Sequence, residues 1–179
     1  KYPSKLEGSK AFMKKIFKEN DIPTAKFKIC SNISQIKKFL FNCKLPVVVK
    51  ADGLAAGKGV YICETLDSST SAIEEIFNGK FGEAKEVLIE EFLEGEEMSF
   101  FIITDGKTFK KFGSAQDHKR LLEGDKGKNT GGMGAYSPSR LENKQLETKI
   151  LEKIIEPTLK GLRDLKTEFI GFLYAGLMI

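Results

Sequence analysis

VVVKADGLAAGKGV, residues 47–60, joins a β-branched run to a turn with glycines at 53, 57 and 59 and lysines at 50 and 58. Consecutive valines favour a strand, and GVYIC after the turn reads as a second one. Strand, glycine-rich turn and strand make a flap, whose freed backbone N–H groups can converge on an anion. Lys50 and Lys58 add positive charge to it. A Walker-type loop is excluded, because three residues rather than four separate Gly53 from Gly57-Lys58, and Gly59 supplies no hydroxyl. No GxGxxG pattern is present in the stretch either. The plain alternative is a permissive surface turn, with Lys50 exposed on an edge strand; buried in a central one, it needs a partner.

Outward from the flap, GSKAFMKKIFKEN predicts a helix capped by Ser9, with Phe12, Met13, Ile16 and Phe17 as its apolar stripe. DIPTAKFKIC reads as a turn and short strand, and SNISQIKKFLFN as a helix with Ile33, Ile36, Phe39 and Leu40 on one side. DSSTSAIEEIFNGKF has a helical pattern, capped by Asp67 or a neighbouring serine and closed by Gly79. KEVLIEEFL is a strand, and EMSFFIITDGKTFKKFG predicts two strands around Asp105-Gly106. Residues 114–137 hold few large apolar side chains and predict a long irregular segment of the kind retained for function. NKQLETKILEKIIEPTLKGLRDL predicts a long helix that Pro157 kinks or divides. The class is α+β with several antiparallel strands, in two lobes meeting near residues 92–95.

The net charge of +4 is unevenly spread: residues 1–50 hold twelve lysines against three acids, and residues 86–97 hold six glutamates. A basic front half raises the possibility of a nucleic-acid-binding module. Its aromatics, Phe12, Phe17, Phe27 and Phe39, occupy apolar periodic positions and read as core rather than as stacking platforms. No apolar run approaches a membrane span, and no signal-peptide pattern is visible. Cys30, Cys43 and Cys63 cannot all pair and form no CxxC, which fits reduced thiols in the cytoplasm. KYPSKLEGSK at one end and the apolar EFIGFLYAGLMI at the other suggest an internal piece of a longer chain.

Three further stretches carry candidate chemistry. In IEEFLEGEEMSF, residues Glu90 to Leu93 suit an adenine, with backbone groups at the base edge and apolar contacts on its faces. Glu97 is placed to accept from ribose hydroxyls. SAQDHKR holds the only histidine, His118, with no nucleophile partner pattern; DHKR reads as a polar recognition cluster. GDKGKNTGGMGAYSP, with five glycines and with Asn129, Thr130 and Tyr136, can wrap a small polar or anionic ligand. A disordered linker is the alternative.

LEGSKAF, IPTA, VVVKADGLAAGKGV, IEEFLEGEEMSF, QDHKR, NTGGMGAYSP, IIEPTLKG and GFLYAGLMI extend over nearly the whole chain. Together they resemble the phosphoribosylamine–glycine ligases, or glycinamide ribonucleotide synthetases, of the ATP-grasp superfamily. The glycine turn alone points only to the superfamily; DHKR followed by NTGGMGAYSP is more specific. The resemblance implies a partial ATP-grasp fold, two α+β lobes with an ATP cleft between them. Residues 1–16 would be a leading segment and helix belonging with the main lobe, 17–92 the smaller lobe with the flap, and 93–179 the larger lobe, truncated.

The same resemblance implies the roles. Lys10 and Lys50 match ATP-phosphate ligands, Gly57, Lys58 and Gly59 the flap over the phosphates, Glu90, Glu91, Phe92 and Leu93 the adenine hinge, and Glu97 the ribose acid. Asp117, His118, Lys119, Arg120, Asn129, Thr130, Gly131, Gly132, Met133 and Gly134 match the substrate side. Lys50, Lys58, Asp117 and Arg120 are the catalytic candidates. The implied reaction joins glycine to 5-phosphoribosylamine through glycyl phosphate, with ATP and Mg²⁺ or Mn²⁺, in a cytoplasmic monomer that binds neither nucleic acid nor membrane. The implied metal ligands lie beyond Ile179, so none is named, and the isolated piece is expected to be inactive. Another ATP-grasp carboxylate–amine ligase is the alternative within the superfamily.

Overall fold

The computed structural model describes residues 4–53, 59–124 and 126–179; the side chains of Gln35, Lys37, Arg120 and residues 126–129 also lie outside the description. The chain divides into two compact units, Lys1–Leu93 and Glu94–Ile179.

The first unit begins with a short helix α1 (Lys5–Gly8) and then α2 (Lys10–Glu19). Ser9 caps α2 as expected, its hydroxyl accepting from the Phe12 amide at 3.0 Å. Next come β1 (Phe27–Cys30), α3 (Ile33–Leu40), β2 (Val47–Ala51), β3 (Val60–Cys63), α4 (Leu66–Phe77) and β4 (Val87–Glu91). The four strands form one antiparallel sheet in the order β1-β4-β2-β3. β2 is therefore an inner strand, and the edge-strand reading of Lys50 does not hold.

Strand alternation sorts this sheet into two faces. Val47, Val49 and Ala51 of β2 and Val87 and Ile89 of β4 join Ile36 and Leu40 of α3 and Ala72, Ile73 and Ile76 of α4 in one apolar core. The intervening residues, Val48, Lys50, Leu88 and Glu90, pair across β2 and β4 in register and share the other face. α4 is capped by Thr65 rather than Asp67 or a serine: Thr65 Oγ1 accepts from the Ser68 amide at 3.1 Å, and Ser68 returns a bond to the Thr65 amide. The extended backbone of Thr65 lets both bonds form, so Ser68 completes the box from inside the helix.

The second unit contains β5 (Glu97–Thr104), β6 (Phe109–Asp117), β7 (Arg120–Leu122), β8 (Lys126–Asn129), β9 (Ala135–Tyr136), α5 (Lys144–Ile150), α6 (Glu156–Asp164) and β10 (Gly171–Met178). β5 and β6 flank the expected Asp105-Gly106 turn, closed by Asp105 accepting from the Thr108 amide at 2.6 Å. The sheet runs β10-β5-β6-β9. Residues 114–137 are more ordered than their composition suggests: β6 continues to Asp117, β9 pairs with it, and β7 pairs with β8. Backbone pairing needs no large side chains, which hides these strands from a reading by hydropathy. The long helix is interrupted by a π-helical turn, Leu151–Ile155, and Pro157 follows it as the second residue of α6. No helix among the described residues is long and apolar enough to cross a membrane.

Residues 4–16 lie in the first unit. The reason is polar: Ser9, Lys10 and Lys14 make their bonds to Asp52, to the carbonyls of Ala51 and Gly53, and to Glu90.

Candidate functional site

On the polar face of the first sheet, the 2-residue period of β2 and β4 and the helical spacing of α2 bring three lysines to two carboxylates. Lys10 and Lys14 are one turn apart on α2 and lie on one side of it. Glu90 is only 4% exposed. One of its carboxylate oxygens, Oε1, meets Lys14, and the other, Oε2, meets Lys50. Lys14 also donates to the Thr24 hydroxyl and lies 5.4 Å from the centre of the Phe27 ring. The Lys50 side chain remains 28% exposed and is the solvent-facing end of the chain of charges.

Lys10 donates to the carbonyls of Ala51 at 3.0 Å and Gly53 at 2.6 Å, across the point where β2 enters the flap. Asp52, between them, accepts from the Ser9 hydroxyl and from the Ala11 amide at 3.0 Å. A carboxylate at the N-terminus of α2 also meets the positive end of the helix dipole. The Ala51 amide donates to the Gly59 carbonyl at 2.9 Å and so closes the base of the flap. Gly57 and Lys58 lie outside the described residues. Burial lowers the Lys10 ammonium below the ordinary lysine range, opposed by Asp52 and assisted by Lys50. Burial also lowers Lys14, opposed by Glu90 and assisted by Lys50.

Lys10 and Lys50, named from the sequence, are thus brought together. Lys14, Asp52 and Ser9 were not named among the site residues, although they belong to the same cluster. Lys14 stands one helical turn after Lys10 in the sequence, but a lysine on a lysine-rich helix carries no mark of burial. Glu90 was expected to offer its backbone; its side chain is committed to the lysines. The Glu91 amide donates to the Lys26 carbonyl at 2.9 Å, and its Oε1 accepts from the Lys26 amide at 2.8 Å. Phe92 is partly buried and Leu93 is 40% exposed.

The second unit gathers the other candidates. Lys119 lies 2.5 Å from Oε2 of Glu97 and 3.9 Å from Asp117. Burial pulls the Lys119 ammonium down, but Glu97 and Asp117 outweigh it, and the net shift is upward. His118 stacks on Tyr136, with ring centres 5.7 Å apart. Its amide donates to the Gly134 carbonyl and its carbonyl accepts from the Met133 amide. Thr130 donates from its hydroxyl to the Lys119 carbonyl, and the same hydroxyl accepts from the Gly132 amide. The segment from Asp117 to Lys119 and the segment from Thr130 to Gly134 therefore hold each other by backbone and hydroxyl bonds. Gly131, Gly132, Met133 and Gly134 are exposed. Arg120 and Asn129 lie opposite each other where β7 meets β8.

Among the described residues, no group of three or more His, Cys, Asp or Glu could hold a metal ion. The Mg²⁺ or Mn²⁺ that the resemblance implies, with ligands expected beyond Ile179, has no ligand set among them. A separate open hollow of about 600 Å³ is lined by Lys28, Ile29, Lys38, Phe39 and Asn42, none of them a site candidate.

The profile of the phosphoribosylglycinamide synthetase ATP-grasp (A) domain matches residues 8–179. A phosphoribosylamine–glycine ligase from Mesorhizobium japonicum is 47% identical over 180 residues, spanning 100% of this chain and 42% of that protein. The chloroplastic phosphoribosylamine–glycine ligase of Arabidopsis thaliana is 49% identical, spanning 97% of this chain and 33% of that one. The crystal structure of phosphoribosylamine–glycine ligase from Thermotoga maritima superposes with a TM-score of 0.89 at 36% identity, covering 98% of this chain and 45% of that one. The chain thus spans less than half the length of these relatives, and within that span its α+β architecture is the ATP-grasp fold. It belongs to the phosphoribosylglycinamide synthetase ATP-grasp (A) domain family.

Proposed function

We propose that the protein containing this chain is an ATP-dependent carbon–nitrogen ligase that joins glycine to 5-phosphoribosylamine, giving glycinamide ribonucleotide, ADP and phosphate. The observation that carries this reading is the 47% identity to a phosphoribosylamine–glycine ligase along the whole chain. In this reading ATP supplies a phosphoryl group to the glycine carboxylate, and the amine of phosphoribosylamine then displaces phosphate from the glycyl phosphate.

The residues suit that chemistry, because charge develops on phosphoryl oxygens and fixed cations stabilise it without a covalent nucleophile. Lys10 and Lys50 hold nucleotide phosphates, with Gly57, Lys58 and Gly59 above them. Glu90, Glu91, Phe92 and Leu93 border the adenine, and Glu97 accepts from the ribose. Asp117, His118, Lys119 and Arg120, with Asn129, Thr130, Gly131, Gly132, Met133 and Gly134, bind the glycine and ribose-phosphate substrates in this reading, and Lys50, Lys58, Asp117 and Arg120 are its catalytic residues. Because the described residues offer no metal ligand set, no step is assigned to Mg²⁺. We further propose a cytoplasmic monomer acting on small molecules alone.

The test is an assay of the full-length protein for ADP release that requires both glycine and phosphoribosylamine. Release that needs both, with glycinamide ribonucleotide as product, is the expected result. Release with a different carboxylate and none with glycine overturns the assignment in favour of another ATP-grasp ligase. Steeply salt-dependent oligonucleotide binding without ADP release favours the nucleic-acid-binding alternative.

A further inference from the structure

Lys14 has no part in the function proposed above, yet it is one of the most buried charged side chains among the described residues, at 4% exposure. A lysine so placed is retained at a cost unless its charge is matched. Among the described residues, Lys14 is paired with one oxygen of Glu90, and Glu91 adds a weaker favourable charge. The second oxygen of the same carboxylate faces Lys50, whose ammonium is the more exposed of the two. Thr24 and the Phe27 ring hold the Lys14 ammonium from its other sides.

The consequence is geometric. A carboxylate with a single cation partner is free to present both oxygens to it. Here Lys14 occupies Oε1, so Glu90 offers Lys50 only Oε2. Among the described residues, Glu90 is the carboxylate paired with the Lys50 ammonium, and a lysine ammonium has three donor protons, so its position is set by a buried group and not by solvent. Lys10, Lys14 and Lys50 thus share the carboxylates of Asp52 and Glu90, with Glu91 acting more weakly on Lys14.

We propose that Lys14 is a positioning residue for the nucleotide site: by holding one oxygen of Glu90, it makes that carboxylate aim Lys50 at a nucleotide phosphate instead of sequestering it. The proposal rests on the reading of Lys50 as a phosphate ligand. Without Lys14, Glu90 turns wholly to Lys50, which is then both neutralised and drawn inward.

The experiment uses the full-length protein in wild-type, Lys14→Met, Glu90→Gln and doubly substituted forms. ATP affinity is measured by titration calorimetry, and the acylation rate of Lys50 by an amine-reactive ester is followed by peptide mass spectrometry without nucleotide. Lys14→Met is expected to weaken ATP binding by about tenfold or more, the loss of one charge-assisted interaction, and to slow Lys50 acylation several-fold. Glu90→Gln releases Lys50 and is expected to speed its acylation. The opposite signs separate aiming from a general loss of packing, which would shift both variants the same way. The double variant buries neither charge and serves as the folded control if Lys14→Met unfolds. In the Glu90→Gln background, removing Lys14 is expected to change ATP affinity far less than in the wild type. Equal effects in both backgrounds, or unchanged Lys50 acylation in Lys14→Met, overturn the proposal. Normal ATP binding by Lys14→Met overturns it while leaving the nucleotide reading intact. A wild-type protein that binds no ATP overturns both.

Discussion

The ammonium of Lys119 lies 2.5 Å from a carboxylate oxygen of Glu97, so the residue read as a ribose acceptor is held by a residue read as a substrate ligand. The pair is more than one-third exposed on each side, at 38% and 45%. Exposed pairs of this kind contribute about 0.2–1 kcal/mol to stability. Glu97→Gln is therefore expected to leave the denaturation midpoint of the full-length protein nearly unchanged. Its ATP affinity is expected to fall by about tenfold, the worth of a charge-assisted hydrogen bond. A large fall in stability with unchanged affinity would mark the pair as purely structural.

Lys50→Ala removes the exposed member of the buried charge chain while leaving Glu90 its Lys14 partner. Folding should survive, and ATP binding should weaken by roughly 10- to 150-fold, corresponding to about 1.5–3 kcal/mol for a charged hydrogen bond. Calorimetric titration beside a urea melt distinguishes the two effects. An affinity within twofold of wild type removes Lys50 from the phosphate site.

Glu90→Ala strips both Lys14 and Lys50 of their shared carboxylate, and Lys14 is then buried without an anionic partner. The expected destabilisation is about 3–5 kcal/mol, the usual result of breaking a buried pair from one side. Adding Lys14→Met to this variant should recover a large part of the loss, because it removes the stranded charge. Urea denaturation of the variants measures both. A single variant within about 1 kcal/mol of wild type, judged against the usual spread for point substitutions, would show that the charges are hydrated.

Glu142 gives the pH dependence. Lys111 and the Ser114 hydroxyl hold its carboxyl below the ordinary value of 4.5, against a smaller opposing effect of burial. Lys111 also meets Glu147 at 2.7 Å. Between the lowered folded pKa and 4.5, the unfolded chain binds more protons than the folded one, so stability rises with pH across that window. The contribution is complete above 4.5 and is lost as the pH falls through the folded value. Glu142→Gln should flatten the acid limb of a stability-versus-pH curve, read by thermal melts from neutral pH down to about pH 3. An unchanged acid limb would show that the carboxylate gains nothing from its partners on folding.

Much of the architecture is legible in the amino-acid sequence. Ser9 before a stripe of Phe12, Met13, Ile16 and Phe17 marks a helix start, and Asp105-Gly106 between apolar alternations marks a hairpin; both are local signals. Local signals also misled. Asp67 looked like a cap by residue type, but the cap depends on which residue leaves the helical conformation first, and that residue is Thr65. The glycine-rich stretch 114–137 reads as a long irregular segment because its short strands are held by backbone bonds that any side chain permits.

The site divides along the same line. The residue spacings alone place Lys10 and Lys14 on one side of α2, and Lys50 on the opposite strand face from Val49. What no local pattern contains is the register of β2 against β4. Val48 stands opposite Glu90, and Lys50 opposite Leu88; a slip of one residue would turn Glu90 into the apolar core beside Ile36 and Ile73. Nor does the sequence say that α2 covers the polar face, where Lys14 becomes buried and Glu90 comes to face two lysines at once. Periodicity is a property of neighbouring residues and is written in the chain. The meeting of Lys14, Lys50 and Glu90 depends on residues tens of positions apart, and only packing that buries the rest of each element fixes it.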